Sequence, residues 1–479
     1  MAAFKEFGKY DAVGLAELVA QKDVTPTDLL DAAIERVEAV NPQLNAVTAT
    51  MYDEARATIE AGPAEGPFKG VPYLLKDLYA DYAGFPTTNG TSLYDGVIPD
   101  HNTTMVDKLV GSGLVVFGKT NTPEFGLTVT TEPRRLGACR SPWNTDHSTG
   151  GSSGGASSAV GARMVPAAHA SDGGGSIRIP AACGGVFGLK PTRGRISLGP
   201  DQGEGWAGMS MQHAVTISVR DSAALLDVVA GPAPGDPYYL EKPSTPFVQA
   251  VGQDPGKLRI GFSTVSPAGG PVDAECVTVV QNAAKLCESI GHSVEDAAPD
   301  YDNELMRASA GTIIQASVAS TLDAAPSFRG REATPEDVEF TTWLMAEAGR
   351  RTPAADYVTA VRNIHVISRQ VAAFFETYDV LIMPVLAKPP AAIGHLDMNS
   401  EDVGTYVGRL FEYSPFCQMA NATGQPAMSV PLHWTPEGLP VGVQFVGRYA
   451  AEATLFRLAA QMEQAQPWKD KKPPVCADV

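Results

Sequence analysis

The sequence predicts an α/β protein built around a substantially buried sheet, and three observations lead there. Short apolar runs alternate with longer helical patterns along the chain, hydrophobic residues make up 44% of it, and charged residues only 19%. Such alternation layers helices against a sheet, and the composition supplies a large core and excludes wholesale disorder. A prior of roughly 150 residues per domain suggests about three units for the 479 residues. No repeat, charge block or linker marks a boundary, so a single domain over 1–479 is the simplest organisation.

The first sixty residues read as helical. Thr25-Pro26-Thr27-Asp28 combines an N-cap, a first-turn proline and an early carboxylate. The stripe Leu29, Leu30, Ala33, Ile34 and Val37 follows at helical spacing. Strands are then expected at 71–75, 114–117, 258–262, 380–383, 428–431 and 441–446. Helices are expected at 105–110, 155–164, 223–229, 279–290 and 451–464.

The charge balance narrows the function. With 54 acidic and 36 basic side chains the net charge is −18, which argues against nucleic acid or an anionic membrane as partner. No apolar run reaches the ~18 residues of a membrane-spanning helix, and the first residues, charged every few positions, form no signal-peptide core. Six dispersed cysteines without a CxxC pair read as reduced thiols of a cytoplasmic protein. The histidines offer neither HExxH nor a pair at i, i+4, so no metal is expected.

The 47 glycines are unevenly spread, and between 149 and 194 they concentrate into TGGSSGG, SDGGGS and CGGVFG. A flexible linker would not carry IRIPAAC and VFGLKP between its glycines; such glycines let backbone approach a ligand and turn N–H groups into a site. Three motif readings compete near this centre. Gly113-LVVF-Gly118-Lys119-Thr120 matches the P-loop expression, but LVVF is itself strand-like and leaves no free backbone to cradle phosphate. It is read instead as a buried strand ending at Gly118. Gly151-Ser152-Ser153-Gly154-Gly155 matches the nucleophile elbow GxSxG, which needs a strand before it; the polar SPWNTDHST reads as loop. The third reading joins Ser152, Ser176 and Lys76. Ser176 closes Asp172-Gly173-Gly174-Gly175-Ser176 ahead of a short helical segment, where consecutive N–H groups form an anion-holding nest. A serine nucleophile needs a base, no histidine lies near, and a desolvated neutral lysine can serve. Lys76 follows the apolar run 71–75 and is the candidate.

The stretch 150–192, GGSSGGASSAVGARMVPAAHASDGGGSIRIPAACGGVFGLKPT, resembles the signature of the amidase signature family. The resemblance extends to GVPYLLKDL (70–78), VFGKTNTPEF (116–125), YDVLIMP (378–384), TGQPAMSVP (423–431) and GLPVGVQFVGR (438–448), and so covers nearly the whole chain. Within the family, GVPYLLKDL and the N-terminal segments are most similar to 6-aminohexanoate cyclic-dimer hydrolases and related broad amidases. Cys183-Gly184 replaces the more usual Phe-Cys, which bears on pocket packing rather than chemistry.

The resemblance implies the amidase signature fold, a large central mixed twisted sheet covered by helices on both faces. It implies an N-terminal helical region (1–65), a catalytic core (66–200), a variable pocket region (201–375) and a C-terminal return to the sheet (376–479). By the same resemblance Ser176 is nucleophile, Ser152, behind a cis peptide, relays the proton, and neutral Lys76 is the base. The serines stand 24 positions apart, as in the family. Backbone N–H groups of Gly173, Gly174, Gly175 and Ser176 are the expected oxyanion hole. Phe125, Gly126, Thr128 and Trp206, with Tyr79, are candidates for contact with substrate; loops 125–135, 200–212 and 305–345 set its preference. Asp172 with Arg178 reads as a structural ion pair, and Lys119 as a structural or surface lysine.

The function so implied is hydrolysis of small or linear amides, anilides or oligoamides, and of esters, through an acyl-enzyme without cofactor, by a monomer or homodimer. Carbamate (urethane) cleavage with the same triad is the alternative. The A subunit of a tRNA-dependent amidotransferase, and a catalytically inactive binding protein on the same fold, are the more remote ones.

Overall fold

A computed structural model describes residues 4–478. Eleven strands form one sheet: β1 (Val47–Thr50), β2 (Pro72–Lys76), β3 (Val115–Thr120), β4 (Ala167–Asp172), β5 (Phe187–Lys190), β6 (Met211–Thr216), β7 (Arg259–Phe262), β8 (Ser293–Asp296), β9 (Val380–Pro384), β10 (Ala427–Trp434) and β11 (Pro440–Gly447). Their order is β1-β3-β2-β4-β6-β5-β10-β11-β9-β7-β8. The sheet is mixed: β2 runs parallel to β3 and β4, and β7 parallel to β8 and β9, while the middle pairings are antiparallel. Helices flank it, and strands β2 to β6 are buried along their whole length. Each fully buried leucine or phenylalanine there contributes about 1.5–3 kcal/mol.

Helix Pro26–Leu44 starts as its sequence dictates: the Thr25 hydroxyl accepts the Asp28 N–H at 3.1 Å, and the Asp28 carboxylate accepts the Thr25 N–H at 2.9 Å. A cap of this kind stabilises by about 1 kcal/mol. All six expected strands form, as do helices Thr104–Gly111, Gly154–Gly161, Val219–Val229, Ala274–Ser289 and Glu452–Ala465.

Three expectations need correction. The first sixty residues are not all helical, because Asn45 turns the chain through φ 51° and Val47–Thr50 pairs with β3. The strand expected to end at Gly118 continues to Thr120, fully buried, and sits between β1 and β2. Strands β4, β5, β6 and β8 escaped notice because AAHASD, FGLK, MQHAVT and SVED mix polar with apolar residues.

Candidate active site

Lys76 is the last residue of β2, and its neighbour β4 leads through Asp172 into the glycine run before Ser176. The loop holding Ser152 enters helix Gly154–Gly161, and the Gly151–Ser152 peptide is cis. Glycine is required where these segments meet. A Cβ on Gly155 would lie 2.3 Å from the Asn121 nitrogen, and Gly175, at φ +129°, would drive one to 2.7 Å from the Cys417 Cβ.

These elements converge on the Lys76 amine. Its Nζ lies 2.6 Å from Ser152 Oγ, 2.9 Å from Ser171 Oγ and 3.0 Å from Ser153 Oγ. The Ser153 hydroxyl donates to the Ser171 carbonyl at 3.1 Å, and its N–H donates to the Ser176 carbonyl at 3.2 Å, tying the two serine-bearing loops together. Lys76 is wholly buried, and this desolvation pushes its pKa well below the ordinary lysine range, against a weaker opposing pull from Asp172.

Asp172 braces the glycine run. Burial alone would raise its pKa, but the Arg178 guanidinium, at 2.9 Å and equally buried, holds it well below the usual carboxylate range. The carboxylate accepts N–H bonds from Gly175 at 2.7 Å and Ile177 at 3.1 Å. Arg178 also donates to the Cys417 carbonyl at 2.8 Å and to Asn421 Oδ1 at 2.5 Å. The pair therefore acts as the structural clamp expected of it. One expectation changes: the Gly175 N–H points to Asp172, which leaves Gly173, Gly174 and Ser176 as the N–H groups without a protein acceptor among the described residues.

Lys119 is buried too, bonded to the Thr87 hydroxyl, so it is structural rather than a surface lysine. His169 corrects the reading that no histidine lies near. Its Nδ1 accepts the Lys76 backbone N–H at 3.2 Å and its Nε2 lies 3.2 Å from Gln212 Oε1. Burial, aided by Lys76, pushes its pKa down to about 3, and its ring nitrogens bond no serine hydroxyl. His169 and Ser171 are the residues sequence reasoning missed. Reading AAHASD as a strand would have found them, since i and i+2 share a face.

Two cavities meet at Ser176, Gly126, Gly173 and Trp206. The first, about 410 Å³, has Ser152 and Ser171 in its wall and is of mixed character, with polar Gln202, Glu204, Gln212 and Thr321 beside apolar Leu78, Phe125 and Leu198. The second, about 400 Å³, is mainly apolar, with Ile314, Leu344, Met345, Val407, Leu410 and Phe411. Phe125 lines the first, Thr128 the second, and Tyr79 the first. Tyr79, Phe125 and Trp206 all adopt left-handed backbone, at φ 49°, 50° and 52°. Such conformations are costly for bulky residues and cluster at ligand sites. Segments 125–135, 200–212 and 305–345 reach the cavities, but 305–345 is mostly helix rather than loop, in Asn303–Asp323, Ala325–Arg329 and Phe340–Arg350. Helix Val403–Tyr413, unanticipated, closes the apolar cavity.

Among the described residues all six cysteines are free and five are buried. No group of three or more His, Cys, Asp or Glu in them is arranged to hold a metal ion, and no helix is long and apolar enough to cross a membrane.

Comparison with known proteins identifies the family. A family profile described as Amidase matches residues 28–456. The 6-aminohexanoate-cyclic-dimer hydrolase of Paenarthrobacter ureafaciens is 39% identical over 477 residues, spanning 97% of this chain and 96% of that one. A solved structure of 6-aminohexanoate cyclic dimer hydrolase complexed with substrate superposes with a TM-score of 0.93 at 38% identity, covering 98% of this chain and 99% of the other. A bacterial aryl acylamidase of the amidase signature enzymes family superposes with a TM-score of 0.87 at 27% identity, covering 96% of each chain. The chain belongs to the amidase family and is a hydrolase of amide carbon–nitrogen bonds.

Proposed function

We propose that this chain cleaves small or linear amides, anilides and oligoamides through an acyl-enzyme on Ser176, with Ser152 as proton relay and neutral Lys76 as base. The observation that carries this reading is the 2.6 Å contact between Lys76 Nζ and Ser152 Oγ, beneath a cavity onto which Ser152 and Ser176 both open. A neutral amine has two N–H donors and one lone pair. The Ser153 hydrogen is engaged by the Ser171 carbonyl, so Ser153 accepts from Lys76. Donation to Ser153 and Ser171 leaves the lone pair for the Ser152 O–H.

In the reaction, Ser176 Oγ bonds to the carbonyl carbon as its proton passes to Ser152 and the Ser152 proton passes to Lys76. The carbonyl oxygen takes up the displaced electron pair and is held by the N–H groups of Gly173, Gly174 and Ser176. Collapse breaks the C–N bond, and the proton returns through Ser152 to the departing amine. Water then attacks the Ser176 ester by the same relay, releasing the acid and restoring both serines. Esters and carbamates undergo the same attack, and the likeness to cyclic-dimer hydrolases makes 6-aminohexanoate oligoamides the first substrates to examine. We place the activity in the cytoplasm, where the six thiols stay reduced, in a monomer or homodimer that needs no cofactor.

The test is to purify the chain alone and measure kcat/KM on p-nitroanilides, esters, carbamates and oligoamides without ATP. Hydrolysis that Ser176→Ala abolishes supports the reading. No turnover, or turnover retained in Ser176→Ala, contradicts it.

A further inference from the structure

The apolar cavity contains one charged residue, Arg307, on helix Asn303–Asp323. The chain carries a net charge of −18, yet no carboxylate lines this cavity. Among the described residues the Arg307 guanidinium makes neither ion pair nor hydrogen bond, and its Nε is buried without a partner. Glu304, one turn earlier, is exposed and does not pair with it. The guanidinium carbon lies 3.6 Å from the centroid of the Phe411 ring, so the group is held against one wall. A guanidinium in this position keeps its charge and presents planar N–H donors suited to a carboxylate. The surrounding aliphatic walls strengthen such a pairing relative to water.

The two cavities also differ in how they meet the proton relay. Ser152 opens onto the first cavity and not the apolar one, whereas Gly174 lines only the apolar one. The departing amine must receive its proton from Ser152, so it leaves on the side of the first cavity. The acyl chain then extends into the apolar cavity towards Arg307. This orientation rests on the Ser176–Ser152–Lys76 reading above.

We infer that Arg307 selects substrates whose acyl part is an apolar chain ending in a carboxylate, that is, monoamides of α,ω-dicarboxylic acids. The preferred length is that which brings the carboxylate to the guanidinium while the scissile carbonyl rests on Ser176.

The experiment compares two series of p-nitroanilides of matched chain length, one ending in carboxylate and one in methyl, for the wild type and Arg307→Met. At one or two chain lengths the wild type should favour the carboxylate at least tenfold by kcat/KM. Arg307→Met should reduce that ratio at least tenfold, and Arg307→Lys should restore part of it. A parallel fall for both series would assign Arg307 to bracing Phe411 and overturn the inference, as would an unchanged ratio. Calorimetric binding of the same compounds to Ser176→Ala, with and without Arg307→Met, separates this inference from the catalytic one. Carboxylate-selective binding lost with Arg307 supports the inference even if the wild type turns over no anilide. Turnover without carboxylate selectivity sinks it while leaving the triad intact.

Discussion

The floor of the site and its walls are built in different ways. The floor, Lys76, Ser152, Ser153, Ser171 and Ser176, comes from strand ends and glycine loops and is at most 8% exposed. Hydrogen bonds tie Lys76 to Ser152, Ser153 and Ser171, and the Ser176 carbonyl accepts the Ser153 N–H. The walls come from helices Asn303–Asp323, Phe340–Arg350 and Val403–Tyr413, which expose Leu344 and Val407 and leave Arg307 unpaired among the described residues. A buried, bonded network around Lys76 tolerates little displacement, because its polar groups rely on one another. The helical walls tolerate substitution, which is where substrate preference can vary while the chemistry stays constant.

That contrast predicts unequal responses. Ser176→Ala should lower kcat/KM on any hydrolysed substrate by about 10⁴-fold or more, with the fold retained by circular dichroism. Lys76→Met, an apolar replacement of a buried side chain, should cost about 10³-fold. The pH profile sharpens the point. Burial lowers the Lys76 pKa, so the neutral amine persists to lower pH than that of an ordinary lysine and is lost as pH falls through that lowered value. Activity should therefore be full above it and decline on the acid side; a profile flat to low pH would remove Lys76 as the base.

The clamp beneath the floor should register in stability. Arg178→Met leaves Asp172 buried without its counter-ion and should destabilise by about 3–5 kcal/mol in urea unfolding. Glu339, where the wall helix Phe340–Arg350 begins, gives a smaller effect with a defined sign. Burial, with Glu124 adding to it, raises its pKa to about 7. A raised carboxylate pKa gives stability that is present at low pH and lost as pH rises through that value. Glu339→Gln keeps an acceptor for the Arg134 N–H, now at 2.7 Å. It should therefore gain on the wild type between pH 6 and 8, by on the order of 2 kcal/mol in Tm-derived stability. Smallest of all, Met345→Ala in the apolar wall should shift acyl-length preference by roughly tenfold and leave the shape of the pH profile unchanged. A changed pH profile would mean that wall and floor are coupled.

The floor was largely legible in the sequence and the walls were not, for a physical reason. Lys76, Ser152 and Ser176 sit in short segments whose glycines and apolar runs dictate local backbone, so position implied environment. Ser171 and His169 were missed because AAHASD does not show the apolar alternation of a strand, although its pairing with β2 and β6 makes it one. The sequence places the N–H of Gly175 in the oxyanion hole because nothing local reveals that Asp172 turns back to accept it. Arg307 and Phe411 lie more than a hundred positions apart and meet only through the packing of two helices. No local pattern announces such a contact, nor the left-handed backbone at Tyr79, Phe125 and Trp206.

In the proposed mechanism Ser176 is made nucleophilic by Lys76 acting through Ser152. The most direct measurement is the site and rate of labelling by a fluorophosphonate, read by intact mass and peptide mapping in the wild type and Lys76→Met. One adduct is expected, on Ser176, formed at least a hundredfold more slowly when Lys76 is replaced. An adduct on Ser152, Ser153 or Ser171, or an undiminished rate in Lys76→Met, would contradict it.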